Sequence, residues 1–181
     1  MRSKIIIFFY LFVLSLTSVS QSSNYANPLK IPLLLSGSFA ELRSNHFHSG
    51  IDIKTGGVTG EPAYSVADGF ISRIVVSPTG FGKAIYITHP NGTTSVYGHL
   101  DKFRDDIKKF ITDLQYKNRS FSIDKQFNYS QFPVKKDELI GYTGNSGSSG
   151  GPHLHFEIRD SKNEMPLNPL KYGFPVIDNI P

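Results

Sequence analysis

Residues Gly144 to Arg159, GNSGSSGGPHLHFEIR, constrain the fold more than any other stretch of the chain. A loop of glycine and serine runs directly into strict alternation. His153, His155, Glu157 and Arg159 fall on one side, and Leu154, Phe156 and Ile158 on the other. Period two is the mark of a strand, because successive side chains point to opposite faces. The apolar trio therefore predicts burial against a core. Two imidazoles project together from the other face, about 7 Å apart along the backbone. That spacing lets one histidine bind a metal while the other touches the metal's water. Alternation alone does not say which does which, and it equally describes a polar strand face in solvent.

The chain has 181 residues, 39% of them hydrophobic and 19% charged, enough apolar material for one globular domain with a core. Its 16 glycines, 14 phenylalanines and 9 tyrosines favour a β-rich domain with many turns. The net charge of +4 comes without a dense Lys/Arg run, which argues against nucleic acid as a partner. An anionic polymer such as a bacterial wall is compatible with it. There are no cysteines, so disulfides, thiolate zinc sites and a cysteine nucleophile are excluded. Any metal must rest on His, Asp or Glu.

Residues 1–20 read as a secretory signal. Arg2 and Lys4 give a basic start, Ile5 to Leu16 is an apolar run too short for a comfortable membrane span, and Ser18 and Ser20 are small residues placed for cleavage before Gln21. An exported mature protein with no stable membrane span is expected, with a monomer as its expected state. Residues 21–36 form a Pro-containing apolar lead-in. In HFHSGIDIKT, an extended reading puts His48, Gly50 and Asp52 on one face, with Gly50 leaving space there for a ligand. His46 is read as a surface residue in the preceding loop. Glu61 to Val76 reads as two short strands around the turn Ala67-Asp68-Gly69. Gly82 to Pro90 is a further strand ending in a Pro90-Asn91-Gly92 hairpin signal, with His89 structural or exposed. On the returning strand, Thr93 to Leu100, alternation predicts Ser95, Tyr97 and His99 on one face and Val96 and Leu100 on the other. The β pattern breaks over 101–133. Phe103, Ile107, Phe110, Ile111 and Leu114 follow helical spacing over about four turns, and Tyr116 to Pro133 reads as a hairpin or loop. Val134 to Thr143 returns to strand.

His48, Asp52, His99 and the pair His153/His155 are thus the polar groups that stand out. A catalytic zinc takes three such protein ligands and leaves one position for water. The helical H-E-x-x-H signature is absent, so a site here is built on strands. At these residues the sequence resembles the lysostaphin/LytM-type zinc endopeptidases. The resemblance rests on H-x-x-x-D at His48 to Asp52, A-D-G-x-I at Ala67 to Ile71, Y-x-H-L at Tyr97 to Leu100 and G-N-S-G-x-S-G-G-P-H-L-H-F-E at Gly144 to Glu157.

The resemblance covers most of 37–174. It implies a mainly β, antiparallel-sheet domain over 37–175, with a metal at the floor of a narrow groove, one helical insertion at about 101–133 and a tail over 176–181. It further implies that His48, Asp52 and His155 ligate Zn²⁺, and that His153 and His99 are the unligated pair acting on the water and the oxyanion. Three positions depart from the family pattern. Asp137 stands where the family has a glycine, the insertion after His99 is longer than the minimal form, and Leu42 occupies a position that is tyrosine in some relatives. The implied function is that of an exported zinc metalloendopeptidase acting on peptidoglycan peptide stems in the cell envelope. Two rivals stand beside it: a non-catalytic LytM-like module that regulates other wall enzymes, and a lipoyl-like carrier domain suggested by the A-D-G-x-I turn. The five retained polar residues argue against both.

Overall fold

The computed structural model describes residues 25–177; the expected signal segment lies outside them. The chain enters through β1 (Leu33–Gly37) and β2 (Ile51–Lys54), which pair antiparallel and send Leu33, Leu35, Ile51 and Ile53 into the core. The lead-in is part of that core as well, since Tyr25 and Leu29 are buried in it. The short β3 (Pro62–Tyr64) is followed by β4 (Gly69–Val76), β5 (Lys83–Thr88) and β6 (Thr93–Leu100), a meander of antiparallel neighbours. After β7 (Lys102–Phe103) comes the one α-helix among the described residues, α1 (Asp105–Asn118). Asp105 and Asp106 in its first turn and Lys117 in its last complement the helix dipole.

The expected hairpin or loop after the helix contains two strands, β8 (Ile123–Gln126) and β9 (Pro133–Val134), both paired with β4. The strand expected over Val134 to Thr143 is confined to β10 (Leu139–Tyr142). Asp137, in the turn before it, has φ 65°. Glycine adopts that left-handed conformation freely, which fits the glycine that the family resemblance implies for this position. The histidine strand is β11 (His153–Asp160), followed by β12 (Pro166–Leu167), a 3₁₀ turn at Pro169–Tyr172 and β13 (Val176–Ile177).

One ten-stranded sheet runs β13-β1-β2-β11-β6-β5-β4-β8, with β12 on β11 and β9 on β4; a small sheet, β3-β10-β7, lies apart from it. Among the described residues, all strand pairings are antiparallel except β1 with β13. The expected trio Leu154, Phe156 and Ile158 is fully buried in the core, together with Tyr97, Ile85 and Ile87 from neighbouring strands. Ala63, Phe103 and Ile140 of the small sheet and Ile107 and Ile111 of α1 belong to the same core. The opposite face of the large sheet, at β2, β11 and β6, carries the polar residues.

Candidate metal centre

Strand β11 lies between β2 and β6, with His155 opposite Asp52 on one side and Gly98 on the other. His48 reaches the same place from the turn before β2. Gly50 serves the approach of the chains rather than a ligand, contrary to the sequence reading. A Cβ there would run into the Phe156 carbonyl oxygen and stand 2.7 Å from Glu157 Cγ.

His48 Nε2 and His155 Nδ1 lie 3.0 Å apart, and Asp52 Oδ1 is 3.2 Å from the first and 3.0 Å from the second. Bonds of about 2.0–2.1 Å at tetrahedral angles require donor atoms about 3.3 Å apart, so this triangle is close to one face of a zinc coordination tetrahedron. Each donor is backed from behind. His48 Nδ1–H donates to the Ser38 carbonyl at 2.9 Å, which leaves the Nε2 lone pair facing the site. His155 Nε2–H donates to Glu157 Oε1 at 2.8 Å, which frees Nδ1. Glu157 is fully buried and also accepts from Ser49 Oγ and Arg159 Nε. Asp52 Oδ2 accepts from Arg43 Nη2 at 2.8 Å. A ring stack of Phe81 on His155, 4.6 Å between centroids, keeps that imidazole in place.

His99 arrives differently from the expected alternation. Tyr97 and Leu100 both enter the core, while Val96 packs with Ala84 and Tyr86 on the outer face. Between Ile85↔Tyr97 and Lys83↔Leu100 the register slips, three steps on β6 against two on β5. The extra residue of this bulge falls at Gly98-His99, and His99 has φ 58°. The left-handed backbone swings its imidazole out of the core and over the site.

His99 Nδ1–H donates to the Ser146 carbonyl and His153 Nδ1–H to the Gly151 carbonyl, both at 2.8 Å. Both Nε2 atoms thereby face the cavity, and the two rings stand 4.8 Å apart. His153 Nε2 is 3.4 Å from Asp52 Oδ1. The glycine loop holds these anchors through its grip on the β4–β5 turn. Ser148 N–H donates to the Gly80 carbonyl, Lys83 N–H to Ser146 Oγ, and Ser146 Oγ to the Leu100 carbonyl. Gly147 (φ 73°) and Gly82 (φ 65°) meet backbone to backbone there, and a Cβ on either would overlap the other loop.

Burial opposes charge on Asp52, yet the imidazoles of His153, His155 and His48 around it outweigh it and hold the carboxyl well below its usual range. Burial likewise opposes charge on His155 and His153, but the Asp52 carboxylate beside them favours their charged forms and raises both, with Glu157 adding to it for His155. His99 lacks a carboxylate partner, and burial pushes it down to about 4. Glu157 is lowered because its bonds to His155 and Arg159 outweigh its burial.

These groups sit in a cavity of about 400 Å³ walled by Arg43, Phe81 and the loop Ser148 to Gly150. His46 stands at its exposed rim. The structure brings together all five residues singled out in the sequence. It adds Arg43, Glu157, Ser38 and Phe81, of which only Glu157 carried a sequence signal, as the next same-face position after His155. Leu42 points to solvent; its neighbour Arg43 reaches the site. No residue of the 101–133 insertion lines the cavity. His89 is buried, with Nδ1–H on the Asp68 carbonyl at 2.9 Å and Nε2 2.8 Å from Ser95 Oγ.

Fold and donor set are those of a β-built metallopeptidase. The model of peptidase family M23 matches residues 46–115 and 121–169, and the chain belongs to that family. It is 31% identical over 134 residues to the DD-carboxypeptidase/endopeptidase Mpg of Neisseria meningitidis, covering 74% of this chain and 24% of that one. It is 27% identical over 134 residues to the peptidoglycan DD-endopeptidase ShyA of Vibrio cholerae, covering 74% and 25%. The matched region thus spans about a quarter of the length of these curated relatives. Among solved structures, the catalytic domain of the prophage-encoded M23 protein EnpA from Enterococcus faecalis shares the fold, with a TM-score of 0.60, 24% identity and coverage of 82% of this chain and 98% of that one.

Proposed function

We propose that the protein is an exported zinc metalloendopeptidase that hydrolyses peptide cross-links of bacterial peptidoglycan. The observation that carries this reading is the triangle of His48 Nε2, Asp52 Oδ1 and His155 Nδ1 beside two further imidazoles anchored through Nδ1 with Nε2 facing the cavity. Two neutral histidines and one carboxylate would hold Zn²⁺ with net charge near +1. Bound there, the ion supplies Lewis acidity, polarising a scissile carbonyl and acidifying a water.

The chain's own residues supply the remainder. Asp52 and the two ligand histidines orient the donor atoms, each fixed by its own outer partner. His99 and His153, anchored through Nδ1, present Nε2 to the water and to the developing oxyanion. One of the two takes up the water's proton at Nε2, offers the resulting N–H to the oxyanion, and returns the proton to the leaving amine. Phe81 and the glycine loop wall the cavity and position an extended peptide.

Peptidoglycan as substrate is supported by the likeness to the peptidoglycan DD-endopeptidase ShyA, and export to the envelope by the basic, apolar N-terminal sequence. No helix among the described residues is long and apolar enough to cross a membrane. The rival reading, a regulatory module without catalysis, leaves the five retained groups without a task. The test is incubation of the purified protein with defined cross-linked muropeptides, with and without a zinc chelator, followed by mass spectrometry. Release of uncross-linked stems that stops with chelation is expected. Intact dimers in the presence of one bound zinc would defeat the assignment.

A further inference from the structure

Asp52 has two carboxylate oxygens and uses them differently. Oδ1 faces His48 Nε2, His155 Nδ1 and His153 Nε2 at 3.0 to 3.4 Å. Oδ2 is turned away from them and accepts from Arg43 Nη2 at 2.8 Å. The pair occupies a slot that β1 leaves open. Gly37 is the Cα partner of Asp52 across the β1–β2 ladder. A Cβ on Gly37 would stand 2.6 Å from Oδ2 and nearer still to Arg43 Nη2. Gly37 is absent from the positive-φ glycines, so its task is space rather than backbone freedom.

Arg43 is itself braced from outside the sheet. Its N–H donates to the His46 carbonyl at 2.9 Å, closing the turn in which Leu42 and Phe47 form a β-bridge. Glu41 Oε2 stands 3.5 Å from Nη2 and accepts from Ser38 N–H at 3.0 Å. Arg43 Nε is buried without a hydrogen-bond partner. Nη2 also stands 3.4 Å from His48 Nδ1, but its shortest contact is with Asp52 Oδ2.

We propose that Arg43, in the slot provided by Gly37, is the positioning residue that keeps Asp52 a one-oxygen donor to the metal. The proposal rests on the reading of Asp52 as a metal ligand. With Oδ2 held by the guanidinium, the carboxylate cannot swing to give both oxygens to one ion. The fourth tetrahedral position therefore stays available for water. The guanidinium also draws charge from the carboxylate, so Asp52 neutralises less of the ion's positive charge.

The test measures zinc affinity by competition with a chromophoric chelator and the visible spectrum of the cobalt-substituted protein. It compares the parent with Arg43→Ala, Arg43→Lys, Gly37→Ala and Asp52→Ala. Loss of an outer partner of a metal ligand typically costs about 10- to 100-fold in affinity. Arg43→Ala should fall in that range, and its cobalt bands should weaken as the four-coordinate geometry gives way to a higher one. Arg43→Lys should recover part of the loss. Gly37→Ala changes no charge and should shift affinity and spectrum in the same direction. Arg43 lies on an exposed turn outside the sheet, so its removal leaves the core intact, and the result does not depend on Gly37→Ala folding. Parental affinity and spectrum in Arg43→Ala, with Asp52→Ala depleted, would overturn the positioning role while sparing the donor assignment. Parental affinity in Asp52→Ala would overturn the donor assignment and this role with it.

Discussion

His99 illustrates what a single residue's backbone can do. Alternation along Thr93 to Leu100 sends position 99 towards the core with Tyr97, and only the bulge and a φ of 58° turn it to the metal site. Nothing in the residue types announces a left-handed histidine, which is why its presence was legible from the motif but its route was not. Asp52 and His155 needed no such correction, because regular pairing of β2 with β11 places them opposite each other. The division of labour among the histidines is open to a paired measurement of zinc content and hydrolysis on the same preparations. His153→Ala and His99→Ala should keep zinc near one equivalent while losing about 10²- to 10⁴-fold in rate. His155→Ala should lose both. If His153→Ala emptied the site and His155→Ala stayed loaded, the two roles would be exchanged.

At the scale of elements, the helical insertion packs on the core and does not wall the cavity. Ile107 and Ile111 belong to the main core, with Phe110 and Leu114 packed against it, and β8 and β9 continue the sheet beyond β4. The segment is structural and stands apart from the cavity. Ile107→Ala should therefore cost about 2–5 kcal/mol in urea unfolding, with zinc affinity and hydrolysis by the folded fraction unchanged. A parental unfolding midpoint would mean that the stripe is not core. The stripe's helical period was plain in the sequence. The pairing of β8 with β4, some fifty residues apart, was not, because short polar strands carry no periodic signal of their own. The glycine loop sits between these cases. Its composition marked it as special, but its grip on the β4–β5 turn depends on contacts between distant backbones.

For the whole molecule, stability should depend on pH through a histidine remote from the candidate metal centre. Burial lowers the pKa of His89, outweighing its hydrogen bond to the Asp68 carbonyl. The folded state therefore favours the neutral ring, and the unfolded chain takes up a proton first. The stabilisation is present above the unfolded value of about 6.5 and is lost as pH falls through the lower folded value. The thermal midpoint of the parent should decline between pH 7 and pH 5 more steeply than that of His89→Gln; equal slopes would remove His89 from the account.

The ladder between β2 and β11 pairs Asp52 with His155 and Ile53 with Leu154, joining residues about a hundred positions apart. Shifting β11 by one residue would carry His155 into the core and bring Leu154 to the cavity. Donors that meet only in one alignment make the ion a judge of folding as well as a reagent. Bound zinc would add its binding free energy to the correctly aligned chain and none to its slipped competitors. The chemistry of the site would thus proofread the sheet that builds it.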